Sequence, residues 1–270
     1  MKAKLLNIKG RLVSLEKPLV MGILNVTPDS FFAGSRQTNE AAIIGRIETI
    51  IAEGGDIIDV GAYSTRPNAT IVPPDDEWRR LETALDILLK KYPEIPVSVD
   101  TFRAEIVRRS VEDYGVSMIN DISGGTMDSH MFETVATLNV PYILTNYTCR
   151  QPDDAVLFFA ERLQALRGLG VNDVILDPGF GFNKTLEQNY ELMRHLDRFS
   201  IFFDCPLLVG ISRKSMIYNL LNCTAEESLT GTTALNTYAL HNGADILRVH
   251  DVKAAVEIIK IFNKIVFCQF

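Results

Sequence analysis

The sequence predicts an α/β protein folded as a (β/α)8 TIM barrel with an N-terminal β-hairpin, and three observations carry that expectation. Short β-branched runs alternate with segments of helical periodicity along nearly the whole chain, the pattern of parallel strands joined by right-handed crossovers. Eight runs can be counted, the number that closes such a barrel, and the 270 residues are close to the ~250 typical of it. Nearly every run starts apolar and ends polar, as strands do when their C-terminal ends share one mouth. An open doubly wound sheet is the rival, but its Gly-x-Gly-x-x-Gly signature is absent after the first strand.

The opening residues, alternating and charged, are expected to form the hairpin ahead of the barrel. The eight runs are LVMGILNV (19–26), DIIDVGA (56–62), PVSVD (96–100), SMIND (117–121), PYILTN (141–146), DVILDPG (173–179), PLLVGIS (206–212) and DILRVHD (245–251). The intervening segments read as helices. In NEAAIIGRIETIIAEGG, Ile43, Ile47 and either Ile50 or Ile51 share one face before Gly54 and Gly55 end the helix. No Ser/Gly linker or low-complexity tract divides the chain, so residues 1–270 are expected to form one domain, with the barrel over about 18–265.

A 47% hydrophobic composition suffices for a large core, and 27 basic against 34 acidic residues leave a net charge of −7. That balance argues against nucleic acid or an anionic membrane as partner, so an anionic ligand would need a local basic cluster. Cys149, Cys205, Cys223 and Cys268 are scattered and show no zinc spacing, which favours free thiols in a reducing compartment. The N-terminus lacks a signal-peptide apolar region and no run reaches membrane-spanning length, so a cytoplasmic location is expected.

The polar strand ends are Asn25, Asp59, Asp100, Asn120 with Asp121, Asn146, Asp177, Ser212 with Arg213 and Lys214, and Arg248, His250 and Asp251. Any one of these taken alone reads as a turn former or helix cap, and Asp59 and Asp121 are candidates for that structural role. Together they predict a site. Asp100, Asn120 and Asp177 suit a flat heterocycle with a donor-rich edge, such as a pterin or guanine. Arg66, Lys214, Arg248 and His250 make a cationic cluster suited to phosphates. In GFGF (179–182), Phe180 or Phe182 could line the ring pocket. The loops 25–35, with Asp29, Phe31 and Phe32, and 63–70 read as lids. Replacing Lys214 or Arg248 by alanine is expected to cripple turnover and spare the fold.

MGILNVTPDSF, STRP, SVDT, INDISGG, DPGFGF, SRKS and RVHDV occur in an order that resembles the dihydropteroate synthase family, over about residues 18–265. The resemblance implies a barrel enzyme that joins 6-hydroxymethyl-7,8-dihydropterin diphosphate to p-aminobenzoate and releases pyrophosphate. It further implies sulfonamides as inhibitors, Mg²⁺ as cofactor and a homodimer formed through barrel helices. On matching positions it implies that Asp100, Asn120, Asp177, Phe182 and Lys214 hold the pterin. Asn25, Arg66, Arg248 and His250 would take the diphosphate, with Asn25 also on the metal. Phe31, Thr65, Pro67 and Ser215 would shape the p-aminobenzoate site. Asp29 would act from the first loop, and Asp100, Lys214 and Arg248 complete the catalytic set.

The chain departs from that family's pattern after the fifth strand, where Thr145, Asn146 and Tyr147 stand in place of the Met-His-Met of many members. Asn68 and Asn183 stand where glycine is common, and asparagine tolerates left-handed backbone better than most residues. Two alternatives remain open from sequence: a catalytically silent pterin-binding paralogue and a pterin-dependent methyltransferase domain.

Overall fold

The computed structural model describes residues 4–27, 36–63 (backbone alone for 36–39) and 72–267. Strands β1 (Leu5–Ile8) and β2 (Arg11–Ser14) form the expected antiparallel hairpin. Lys9 and Gly10 turn it with φ of 51° and 75°, the double positive φ that matches the twist of paired strands.

The barrel strands are β3 (Leu19–Asn25), β4 (Ile57–Gly61), β5 (Val97–Asp100), β6 (Met118–Asp121), β7 (Tyr142–Thr145), β8 (Val174–Asp177), β9 (Leu208–Val209) and β10 (Ile246–Val249). They are parallel in the order β8-β7-β6-β5-β4-β3-β10-β9, and a parallel bridge between Leu176 and Leu207 joins the two ends into a barrel. The ladders are shorter than the apolar runs. The run 206–212 pairs only over two residues because Pro206 has no N–H to give, and the chain beyond Gly210 enters a turn closed by Lys214 N to Ile211 O at 3.1 Å.

The intervening helices are α1 (Arg36–Ala52), α2 (Pro74–Lys91), α3 (Ala104–Tyr114), α4 (Met131–Leu138), α5 (Pro152–Gly168), α6 (Leu186–Arg194), α7 (Asp197–Phe202), α8 (Ser215–Leu221), α9 (Leu229–His241) and α10 (Val252–Val266). On α1 the buried stripe is Ile43, Ile47 and Ile50, while Ile51 is 36% exposed. Ile50 fits because β3 carries Gly22 opposite it, where an added Cβ would lie 2.6 Å from the isoleucine.

Two apolar layers follow from strand periodicity. Outward residues such as Val20, Leu24, Ile58 and Val60 pack under the helices. Inward residues Met21, Ile57, Met118, Ile143, Ile175, Leu208 and Ile246 fill the barrel's N-terminal half, and Leu6, Ile8 and Leu15 of the hairpin segment complete that cluster. The hairpin is therefore the plug of the end opposite the mouth, tied down by Lys4 Nζ to Asp245 Oδ2 at 2.8 Å. Among the described residues no helix is long and apolar enough to cross a membrane.

Candidate active site at the barrel mouth

Side chains two apart on a strand share a face. One step up from the apolar layer, Ile57 gives way to Asp59, Met118 to Asn120, Ile143 to Thr145, Ile175 to Asp177 and Ile246 to Arg248; Ser98 leads to Asp100 and Ile23 to Asn25. The same alternation that builds the plug thus builds a polar inner ring above it. A side chain facing this ring is far from its neighbours in sequence but shares their space.

At its centre Arg248 Nε donates to Asp59 Oδ2 at 2.7 Å and an Nη donates to Asp100 Oδ2 at 2.9 Å. Asn120 Nδ2 also donates to Asp59 Oδ2, at 3.1 Å. Asp59 is not a turn former: it is fully buried inside the barrel. Asp121 does have the structural role considered for it, since its carboxylate accepts from the Ser123 and Gly125 amides and from the Tyr142 hydroxyl at 2.6–2.8 Å. Burial raises the Asp100 carboxyl to about 7, although Arg248 opposes the shift. Burial likewise raises Asp177, against the pull of Lys214.

The GFGF loop supplies the second wall. Gly179 (φ 74°) and Gly181 (φ 82°) hold left-handed backbone, and Gly179 N donates to Asp177 Oδ1 at 2.8 Å. Phe180 is core, whereas Phe182 is half-buried, 5.9 Å from the Tyr147 ring and 4.3 Å from Lys214 Nζ between ring centroid and nitrogen. Of the two phenylalanines, Phe182 is thus the one at the pocket. Burial lowers Lys214 to about 8. Asn183 has φ of 48°, the left-handed conformation anticipated for it.

His250 does not add a charge to the expected cationic cluster, because burial and the nearby guanidiniums of Arg248 and Arg46 push it down to about 4. It is a neutral imidazole with Nδ1 3.2 Å from Ser212 Oγ, able to donate or accept a hydrogen bond and carrying no charge. Arg213 and Asp251 form a two-pronged pair at 2.7 and 2.8 Å, so neither is free for a ligand. Asn146 is buried and binds the loop backbone at Cys149 and Pro178. Arg248→Ala can no longer be expected to spare the fold, because it would leave two inner carboxylates without their cation.

Some participants went unseen in the sequence. Lys184 Nζ donates to the carbonyls of Gly179, Asn146 and Phe182 at 2.8, 3.2 and 3.4 Å, pinning the GFGF loop to the loop after β7. Glu77 is fully buried on α2, accepts from Thr101 Oγ1 at 2.7 Å and pairs with Arg103. Arg103 also donates to the Val72 carbonyl at 2.7 Å and lies over the Phe102 and Tyr63 rings, 4.8 and 5.6 Å from their centroids. Tyr63 and Val72 flank residues 64–71. A carboxylate at an ordinary helical position carries no sequence signal for such a role. Asp29, Phe31, Thr65, Arg66, Pro67 and Asn68, with most of both proposed lids, lie outside the described residues. Ser215 opens α8 beside Lys214, half-buried.

Asn25 ends β3 with Oδ1 facing Gly61, where an added Cβ would lie 3.5 Å from that oxygen and 3.6 Å from Asp100 Cβ. No group of three or more His, Cys, Asp or Glu suited to a metal occurs among the described residues. One amide oxygen at the end of β3 is unlike an all-protein cage. It fits Mg²⁺, which keeps waters and takes substrate phosphate oxygens with few protein ligands.

A closed barrel whose mouth gathers carboxylates, an amide, a lysine and an arginine around an aromatic wall defines an enzyme class that binds a polar heterocycle. Comparison with known proteins narrows the class. Residues 21–250 match the family described as "Pterin binding enzyme". A dihydropteroate synthase of Streptococcus pyogenes serotype M18 is 38% identical over 265 residues, covering 95% of this chain and 98% of the relative. The Xanthomonas albilineans dihydropteroate synthase solved with 4-aminobenzoic acid superposes with a TM-score of 0.91 at 35% identity, covering 98% and 99% of the two chains. The Coxiella burnetii dihydropteroate synthase in complex with pteroic acid gives 0.88 at 32%, covering 98% and 100%. The chain belongs to the dihydropteroate synthase family of pterin-binding transferases.

Proposed function

We infer that the mouth joins 6-hydroxymethyl-7,8-dihydropterin diphosphate to p-aminobenzoate, giving 7,8-dihydropteroate and pyrophosphate for folate biosynthesis. The observation that carries this reading is the convergence of Asp100, Asn120, Asp177, Lys214 and Arg248, from five different parts of the chain, on one end of the barrel, beside Phe182.

An aryl amine is a weak nucleophile because its lone pair is delocalised into the ring. Breaking the carbon–oxygen bond first makes attack feasible: the bonding pair leaves with the pyrophosphate, and the exocyclic carbon becomes a pterin-stabilised cation. The amine nitrogen then forms the new bond and releases a proton. Asp100 and Asp177 would hold the donor-rich edge of the ring and offset its positive charge, with Asn120 and Lys214 completing the polar contacts. Phe182 would lie against the ring with Tyr147 beside it, and the smaller, polar Thr145 stands where many members of the family carry a methionine that would pack on the pterin.

The departing diphosphate would meet Arg66, Arg248 and a neutral His250 acting as a hydrogen-bond donor. Mg²⁺, with Asn25 as protein ligand, would neutralise part of the charge that builds on the leaving oxygens. Phe31, Thr65, Pro67 and Ser215 would form the p-aminobenzoate site, with Asp29 acting from the first loop; aryl sulfonamides would compete there. No covalent nucleophile is required. A homodimer would cover exposed apolar residues of α8 and α9, among them Leu220, Leu221, Leu229 and Tyr238. A cytoplasmic setting suits the free thiols.

The test is a Mg²⁺-dependent assay with both substrates, following dihydropteroate and pyrophosphate together. Equal amounts of the two, lost on chelation and restored by Mg²⁺, are expected. Folded protein that binds the pterin and yields neither product would mark a silent pterin-binding paralogue.

A further inference from the structure

We propose that Asp59 is a positioning residue, the fixed partner that keeps Arg248 and Asn120 in place when a pterin takes Asp100 for itself. The inference rests on the pterin reading above and adds a residue that no ligand would touch.

Three observations support it. Asp59 is 0% exposed whereas the Asp100 side chain is 20% exposed, so of the two carboxylates on Arg248 only Asp100 is reachable from the mouth. Strand β4 lies midway between β6 and β10, two strands from each, and Asp59 Oδ2 receives one hydrogen bond from either side, from Asn120 on β6 and Arg248 on β10. The next inward residue on β4 is Gly61, so no side chain of that strand stands between Asp59's level and the ring pocket.

Physical necessity gives the arrangement its sense. A donor-rich heterocycle that engages both Asp100 oxygens competes with the Arg248 Nη contact, which is made to Oδ2. Were Asp100 the sole partner, each binding event would strand a buried guanidinium, a heavy penalty. With Asp59 on Nε, Arg248 keeps a carboxylate partner throughout and its side chain does not swing. The second Asp59 oxygen and the hydroxyl of Ser98, its register neighbour on β5, are both buried without a hydrogen-bond partner among the described residues.

Asp59→Asn keeps the shape and one acceptor oxygen and removes the charge. In the full-length protein it is expected to weaken pteroic acid binding, read by calorimetry without Mg²⁺, by about tenfold or more. A role confined to folding would instead lower Tm and leave the affinity of folded protein unchanged. In an Arg248→Met background the same change should weaken affinity by a smaller factor than in wild type, because only the Asn120 contact is left for Asp59 to hold. Wild-type affinity in Asp59→Asn, or losses that multiply in the double variant, would overturn the proposal. If Asp59→Asn does not fold, a structure of wild-type protein with pteroic acid decides: Arg248 Nε is expected to stay on Asp59 while Asp100 accepts from the pterin, and Arg248 found away from Asp59 would sink the idea. Failure of the wild type to bind pteroic acid removes the pterin reading itself, whereas wild-type binding that Asp59→Asn leaves intact removes this inference alone.

Discussion

The ammonium of Lys214 lies 4.3 Å from the centroid of the Phe182 ring and 2.5 Å from the Phe180 carbonyl oxygen, so a cation, a π-face and a glycine-rich loop form one unit at the mouth. Burial lowers this amine from 10.5 to about 8. It is charged below that pH and neutral above it, so kcat/KM for the dihydropterin diphosphate is expected to fall as pH rises through about 8. Lys214→Arg, which stays charged, should abolish that alkaline limb in a pH–rate profile, and Lys214→Ala should lower kcat/KM roughly 10- to 100-fold at neutral pH. Stability moves with the opposite sign. The folded chain holds its proton less tightly than the unfolded chain, so protonation opposes folding as pH drops from 10.5 to about 8 and does so fully below. Lys214→Met should therefore resist urea better than wild type at pH near 7, an advantage that disappears above about 10.5.

Asp100 titrates near 7 because burial outweighs the help of Arg248. Its carboxylate form is the one that accepts from a donor-rich ring, so pteroic acid affinity is expected to weaken as pH falls through about 7. Asp100→Asn should bind weakly at every pH and show no such slope in fluorescence titration.

Arg248→Ala should cost stability as well as activity. It leaves Asp59 and Asp100 without their shared cation, a loss of about 3–5 kcal/mol by the usual scale for a broken buried pair. Urea unfolding checks this, and a midpoint equal to wild type would contradict the geometry of the inner ring.

Glu77→Ala removes the buried partner of Arg103 and of the Thr101 hydroxyl. A loss of about 3–5 kcal/mol is expected, with Glu77→Gln retaining part of it through the Thr101 hydrogen bond. Because Arg103 also holds Tyr63 and Val72, the KM for p-aminobenzoate should rise more than that for the pterin substrate.

Gly179→Ala places a Cβ 2.0 Å from the Asn146 carbonyl oxygen on a backbone with φ of 74°. The left-handed conformation alone disfavours alanine by about 1–2 kcal/mol, and the overlap must also displace the loop that Lys184 pins. Thermal melts should show the destabilisation, and calorimetry a weaker pteroic acid affinity.

The barrel and the identity of most mouth residues were legible in the sequence because strand periodicity is local. An apolar run that ends in Asp100, Asn120, Asp177 or Arg248 announces both its direction and its functional end before any contact is known. The hairpin could be read in the same way from the alternation of the charged opening residues, whereas its turn at Lys9 and Gly10 came from the structure. Strand lengths were overestimated, since an apolar residue such as Leu207 reads alike whether it joins a ladder or only a single bridge.

Strand periodicity names most of the described residues at the mouth, and the packed fold sets how they are paired and charged. Asp59 and Asp121 look alike at the ends of apolar runs, yet one faces the barrel interior under Arg248 and the other caps a loop. His250 looks like one more cation, yet burial beside Arg248 and Arg46 makes it neutral. Glu77 and Lys184 look like surface charges until the loops they hold close around them. The physical reason is range. Strand direction and facing follow from neighbours one or two residues away, whereas hydrogen-bond partners and desolvation depend on groups brought together from across the chain, as Arg248 is to Asp59 over 189 positions.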